Sequence, residues 1–368
     1  MKKYDLDTPC LLIDSNIVLD NIEYIQSYAN KNNVTLRPHT KTHKMPYFAN
    51  LQEEKGAKGI AVAKVSEAEV MAENGLNDIF IANEVVGEYK LNKIKSLSEK
   101  INISFGIDSI EQTKMVEKVF ENSPKKAQVL IEIEVGENRS GIIEKQDFID
   151  LVNYIKTCKN VYLKGIFSHD GHSYKAKDKN ECLEIFNAAQ KRTLEFSDIA
   201  RELDYPLEVV SIGSTPSSMF DFEIMKGVTE LRIGTYIFMD ASQGNAIGSH
   251  ERCAATVLTT VISKPTSERV ITDVGAKGIT MQSRSIGICK TNGVGTIKNF
   301  NNVYIDSVFD EHAIIYNKDF RNAVNIGDKV EIIPNHICPV CNLYNSAYLI
   351  KEDEVVKEIP ILCRGKQQ

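Results

Sequence analysis

Between residues 35 and 44 the chain reads TLRPHTKTHK, with two histidines, two lysines and an arginine in ten residues. If this segment is extended, Arg37, His39, Lys41 and His43 share one face, and Leu36, Thr40 and Thr42 take the other. A surface strand of that kind could grip a nucleic acid, whereas a buried one could present a reactive amine. An amine withdrawn from water among cations has its ammonium form disfavoured. Lys41, flanked by His39 and His43, is therefore a candidate nucleophile toward a carbonyl. Farther along, SIGSTPSSM offers Gly213, Ser214 and Thr215, and LRIGTYIF offers Gly234 and Thr235. Glycine lets backbone N–H groups approach a phosphate and hydroxyls add donors, although each stretch also suits an ordinary tight turn. A phosphate site and a nucleophilic lysine are the minimum equipment for pyridoxal 5'-phosphate.

Two further groups could do chemistry. In NHICP, His336 and Cys338 are two apart, so an extended backbone points both side chains the same way. Imidazole nitrogen and thiolate sulfur suit Zn²⁺, with Mn²⁺ or Mg²⁺ as other divalent choices. Two protein ligands leave positions for water and substrate. Cys341 completes a local CPVC, which admits a redox or structural-zinc alternative. Redox CxxC motifs usually open a helix, and a closed zinc site wants four ligands where only three candidates are near. In SHDGHSY, His172 could stack on a cofactor or move protons, with His169 and Tyr174 in support; a satisfied core histidine is the plainer alternative.

The elements that must position these residues follow one rhythm from residue 34 to 238, a short β-rich run and then a helical stretch. The runs are VTLRPHTK, GIAVAKV, DIFIANE, NISFGID, AQVLIEIEV, VYLKGIFSH, LEVVSIG and VTELRIG. Between them lie amphipathic segments such as SEAEVMAENG, where Ser66 and Glu69 suggest a capping box, SIEQTKMVEKVF, and ECLEIFNAAQKRTLEFSDIARELD. Eight such units predict an α/β fold, a closed TIM-type (β/α)8 barrel over 15–245, with an open doubly wound sheet as the alternative. In such a barrel the strand C-termini line the active site, and loops after strands seven and eight often hold phosphate. Beyond about residue 245 alternating runs (RCAATVLTTVISK, RVITDVGAKGI, VGTIKNFNNVYIDSVF, HAIIYN, GDKVEIIPN and DEVVKEIPIL) predict a C-terminal mostly β domain over 246–368. The strand-like DTPCLLIDS suggests that residues 1–14 join it.

Composition narrows the function classes. A net charge of -6 and a pI near 5.8 argue against a nucleic-acid partner, which favours the buried-amine alternative for TLRPHTKTHK. No apolar run approaches the roughly 20 residues of a membrane span, and MKKYDLDTPC has no apolar leader core. Eight cysteines scattered over 368 residues read as reduced, buried thiols, so the expectation is a soluble cytoplasmic protein without a membrane partner.

RPHTKTHK resembles the cofactor-lysine motif of the D-threonine aldolase and D-serine dehydratase group, alanine-racemase-like pyridoxal phosphate enzymes of fold type III. The resemblance covers nearly the whole chain, through DTPCLLID, GENRSGI, HDGHSY, GSTPS, ELRIGTYIFMD, TDVGAKGIT and PNHICPVCNLYN. It implies that Lys41 carries the cofactor; His39, His172 and Tyr174 remain candidates for contact with it from the residues themselves. It also implies that Arg139 lies near the cofactor's phenolic oxygen, and that Gly213, Ser214, Thr215, Gly234 and Thr235 cradle its phosphate. A divalent metal at His336 and Cys338 is implied as well. His-x-Cys is similar to the zinc-dependent D-serine dehydratases, whereas the D-threonine aldolases tend to carry His-x-Asp. Asp273 and Lys277 match a motif of the second domain without a role that sequence assigns. A homodimer is implied, because a partner's second domain often completes the mouth of the site in this fold.

The expectation is thus a metal-assisted lyase on D-3-hydroxy amino acids, with β-elimination from D-serine to pyruvate and ammonia in front. Retro-aldol cleavage of D-threonine to glycine and acetaldehyde is the alternative. A racemase needs no Lewis acid at a β-oxygen, and non-catalytic cofactor-binding barrels typically lack a second β domain, so both stand further back.

Overall fold

The computed structural model describes residues 1–368 and divides into two units. The barrel unit comprises 25–41, 46–234 and 366–368; the second unit comprises 1–24, 42–45 and 235–365. The chain's first strand, β1 (Cys10–Asp14), belongs to the second unit.

Each of the eight expected runs forms a strand of the barrel unit. They are β2 (Thr35–Leu36), β3 (Ile60–Val62), β4 (Asp78–Glu84), β5 (Asn102–Ile107), β6 (Ala127–Ile133), β7 (Val161–Ser168), β8 (Val209–Ile212) and β9 (Glu230–Leu231). All pairings are parallel, in the order β2-β9-β8-β7-β6-β5-β4-β3. The residues after β2 close the ring: Lys58 N donates to Leu36 O, Ala61 N to Pro38 O and Thr40 N to Ala61 O, each at 2.8 Å. That closure distinguishes the barrel from the open doubly wound alternative.

Helix starts explain themselves locally. Ser109 accepts from Gln112 N ahead of helix Ile110–Val119, and Asp178 accepts from Glu181 N ahead of helix Lys179–Glu202. The capping box expected at Ser66 and Glu69 is displaced. Helix Val65–Glu73 starts earlier, and the buried Glu67 reaches back to Ala63 N at 2.8 Å and Lys64 N at 3.2 Å. Ser66 instead donates to Gln368 O, and Glu69 pairs with Lys93.

Side chains alternating with period two fill the ring in layers. In the middle, Ala61, Phe80, Leu130 and Phe167 form one buried cluster, with Phe80 edge-on to Phe167 at 5.1 Å. That contact contributes about 1 kcal/mol beyond its buried area. At the strand starts Arg37 bonds Glu230 Oε2 at 2.7 Å and Asp78 Oδ1 at 2.8 Å. Arg37 therefore does not supply cationic pressure on Lys41, as the shared face suggested; two carboxylates neutralise it at the opposite end of the strands. Replacing Arg37 by methionine leaves Glu230 as an uncompensated buried charge. It is expected to cost about 3–5 kcal/mol in chemical denaturation, most of it recovered when Glu230 is also made apolar. A loss within measurement error from the single change would refute the account of this layer.

The second unit is mostly β: β10 (Ala255–Ser263), β11 (Arg269–Thr272), β12 (Gly295–Ile297), β13 (Ser307–Val308), β14 (Ala313–Tyr316), β15 (Lys329–Pro334), β16 (Ser346–Lys351) and β17 (Glu354–Pro360). β1 pairs antiparallel with β10 and parallel with β16. The sheet runs β13-β14-β11-β10-β1-β16-β17, with β15 joining β10 to β12. β16 was not among the expected runs, because SAYLIK carries too few strictly alternating residues to stand out. The run RVITDVGAKGI is a strand only to Thr272, followed by a helical turn at Ala276–Ile279. No disulfide joins any of the eight cysteines, and no helix is long and apolar enough to cross a membrane.

Candidate active site

Above the phenylalanine layer, alternation brings the next inward residues to the C-terminal strand ends, where barrel enzymes place their chemistry. His39 bridges to Ala61, and the chain then turns through residues 40–43. The turn ends the strand before His43, so His43 does not share the Lys41 face. Its buried ring instead accepts from Met45 N and lies 6.1 Å from Phe238. Lys41 is half-buried at the start of that turn, its N–H directed to His39 Nδ1 at 3.4 Å.

Lys41, His39, His169, Arg139 and Arg232 form one electrostatic group. Burial pushes the His39 imidazole well below its ordinary pKa, and Lys41, Arg232 and His169 add to the effect. His169 shifts the same way through burial and then Lys41 and Arg139, while its Nδ1 meets Gly213 O at 2.9 Å. Both rings are thus neutral, and the His169 bond to a carbonyl makes Nδ1 the donor.

Sequence reasoning missed Arg232. It is buried, donates to Ser211 Oγ at 2.7 Å and Ser168 O at 2.8 Å, and lies 5.1 Å from the Phe167 ring and 5.8 Å from Phe80. Burial lowers its pKa to about 10. The available signal was a guanidinium two residues before Gly234 in an otherwise apolar strand. Glu137 was also missed. It pairs with Arg139 at 3.4 Å, and burial raises its pKa.

Arg139 is half-exposed, between Glu132 at 3.5 Å and Glu137. His172 and Tyr174 share the short turn Gly171–Lys175, and His172 Nδ1 is buried without a hydrogen-bond partner. Gly136, at φ +118°, faces this ring so closely that a Cβ would meet Nε2 at 3.0 Å. Gly213, at φ +134°, turns the chain out of β8 toward helix Thr215–Met219. The Ser214 hydroxyl is engaged with Asp170 Oδ2 and Ser173 Oγ, both at 2.9 Å. The Ser214 hydroxyl, expected in the phosphate cradle, is therefore committed to partners within the protein. Thr215 is buried at the helix start, and Gly234 is the last barrel-unit residue after β9. An amine, two neutral imidazoles, a buried guanidinium and an orphaned ring nitrogen make a donor set that fits pyridoxal phosphate.

In the second unit Thr235, His336 and Cys338 come together with Thr42. Cys338 Sγ lies 3.3 Å from Thr42 Oγ1 and 3.8 Å from Thr235 Oγ1. Thr235 thus neighbours the thiol, although sequence placed it in the phosphate cradle. The expected extended path through NHICP is also corrected: His336 is extended, but Ile337–Cys341 is a short helix. Asp240 explains this, because its buried carboxylate caps helix Ala241–Ile247 through Gln243 N and also accepts from Ile337 N. His336 Nδ1 meets Gln282 Oε1 at 2.9 Å, which presents Nε2 with its lone pair, as in metal-bound histidines. No third His, Cys, Asp or Glu joins to make a ligand cluster. The residues fit a divalent ion that keeps open positions. Cys341 is buried, and burial raises its thiol pKa. Asp273 accepts from Thr259 Oγ1 and Thr260 N, holding β10 to β11, while Lys277 pairs on the surface with Glu311.

Residues 13–242 match the family model described as alanine racemase, N-terminal domain, and residues 254–350 match a putative serine dehydratase domain. The chain is 30% identical to a D-threonine aldolase of Arthrobacter sp., over 98% of this chain and 93% of that one. It is 30% identical to a D-serine dehydratase of Dictyostelium discoideum, over 96% and 95%. Among solved structures it superposes on D-threo-3-hydroxyaspartate dehydratase from Delftia sp. HT23 with a TM-score of 0.89 and 26% identity, covering 98% of both chains. Two solved mutants of that dehydratase replace a cysteine and a histidine two positions apart by alanine, the cysteine mutant being in the metal-free form.

Proposed function

The chain belongs to the family of the alanine racemase N-terminal domain joined to a putative serine dehydratase domain, and we propose on that footing that it is a metal-assisted lyase using pyridoxal phosphate on D-3-hydroxy amino acids. Within that class we assign it β-elimination of the D-serine dehydratase type. The observation that carries the assignment is the half-buried His336/Cys338 pair, with the His336 ring bonded to Gln282 and the Cys338 thiol beside Thr42. When bound, the cofactor supplies an electron sink for charge at Cα, and the metal supplies Lewis acidity at the β-hydroxyl.

The chain's residues do the rest. Lys41 Nζ would hold the cofactor and would accept the Cα proton of the bound substrate. His39 and His169, kept neutral, position groups without adding charge. Arg232 is locked between two rings and two acceptors, so it holds a fixed direction. His336 and Cys338 hold the ion, for which we propose zinc on the thiolate donor. We further propose a cytoplasmic homodimer.

A retro-aldol reading stays beside this one because the Arthrobacter relative is named an aldolase. Product analysis with D-serine and D-threonine, each with and without chelator, separates them. Chelator-sensitive pyruvate and 2-oxobutyrate are expected; glycine and acetaldehyde from D-threonine would replace elimination by carbon–carbon cleavage.

A further inference from the structure

Two loops at the barrel mouth each carry a glycine where the other lays down a side chain. Residues 134–141 follow β6, and residues 169–175 follow β7. At Gly171 the three atoms nearest an added Cβ all belong to Glu137, with Oε1 at 2.0 Å. The Glu137 carboxylate therefore rests directly on the Gly171 backbone. At Gly136 the three nearest atoms all belong to the His172 ring. The Gly171 backbone lies outside the left-handed region, so what its missing side chain provides is room for Glu137.

The loop that presents Glu137 is itself held. Arg192, on helix Lys179–Glu202, donates through Nε to Glu134 O at 2.6 Å and through Nη2 to Ile143 O at 2.5 Å. The Glu134 carboxylate accepts from Gly136 N at 2.8 Å and Asn138 N at 2.7 Å. From this fixed backbone Glu137 Oε2 stands 3.4 Å from Arg139 Nη1, while Glu132 Oε1 stands 3.5 Å from Nη2. Glu132 is also engaged by Ser140 Oγ at 2.8 Å. Half of the Arg139 side chain is exposed, and ion pairs of that exposure contribute little stability. What two carboxylates on two different nitrogens do supply is a direction.

We propose that Glu137 is a positioning residue for Arg139, seated on Gly171 so that the guanidinium is held between two carboxylates. The inference rests on the proposed place of Arg139 beside the cofactor's phenolic oxygen. Without Glu137, Arg139 keeps its charge and one carboxylate, but a long side chain half in water regains its rotamers.

The test is visible circular dichroism of the holoenzyme without substrate, which reads how the cofactor is held and needs no turnover, beside kcat and KM. Arg139→Gln is expected to change the cofactor band. Glu137→Gln keeps the shape and removes the charge; it should change the band in the same sense and lower kcat about 10- to 100-fold, with KM moving less. In the Arg139→Gln background it should add nothing. Gly171→Ala displaces the carboxylate and should reproduce Glu137→Gln. Combined with Glu137→Ala, the same alanine should have no further effect, because Glu137 supplies all three nearest atoms. A band changed by Arg139→Gln but not by Glu137→Gln overturns the inference and leaves the place of Arg139 standing, as do additive effects in the double variant. A band unmoved by Arg139→Gln removes both.

Discussion

Replacing Lys41 by alanine is expected to remove turnover almost entirely, lowering kcat/KM by roughly 10⁴-fold or more, because one amine serves both attachment and proton transfer. The fold should survive, since Lys41 sits at the start of a turn and is only half-buried. The variant should lose the yellow absorbance of covalently held cofactor while keeping wild-type far-ultraviolet dichroism. Lys41→Arg should be equally inactive, because a guanidinium stays protonated and cannot act as an amine. Borohydride reduction of wild type followed by peptide mapping supplies an independent check. Label on any lysine other than Lys41 would sink the assignment, however inactive the alanine variant proved.

The second large effect is expected at the metal pair. His336→Ala and Cys338→Ala should each lose bound metal and lower kcat by about 10²- to 10⁴-fold, the range set by a Lewis acid contributing several kcal/mol. Their cofactor absorbance should persist, because Lys41 and the other cofactor residues expected in the barrel unit are unchanged; loss of colour along with metal would mean that these residues do something else. Gln282→Ala leaves both ligands but frees the His336 ring, so metal affinity should fall about 10- to 100-fold with smaller effect on saturated kcat. Cys338→Asp recreates the His-x-Asp pattern that resembles the aldolases. With D-threonine it should raise the share of acetaldehyde over 2-oxobutyrate, and an unchanged ratio would remove the ligand argument for elimination.

Much of this was legible from local pattern alone. The eight strand runs and the nomination of Lys41, His172, His336 and Cys338 depend on residue types and short spacings, whereas Arg139 was nominated only by the family resemblance. Backbone periodicity is a local property, so inward and outward faces can be assigned before any strand is paired. What only tertiary structure decided is who meets whom. Arg37 shares a face with Lys41 in the sequence, yet Glu230, 193 residues away, takes it at the other end of the barrel. Arg232 reads as one charge in an apolar run until ring closure packs it against Phe80 and Phe167. NHICP looks extended until Asp240, 97 residues earlier, accepts the Ile337 N–H and starts a helix. Buried charges and orphan backbone groups must find partners wherever the fold brings them, and a parallel barrel pairs strands far apart in sequence. The sequence therefore named the chemical groups, and the closed ring determined which of them act on one another.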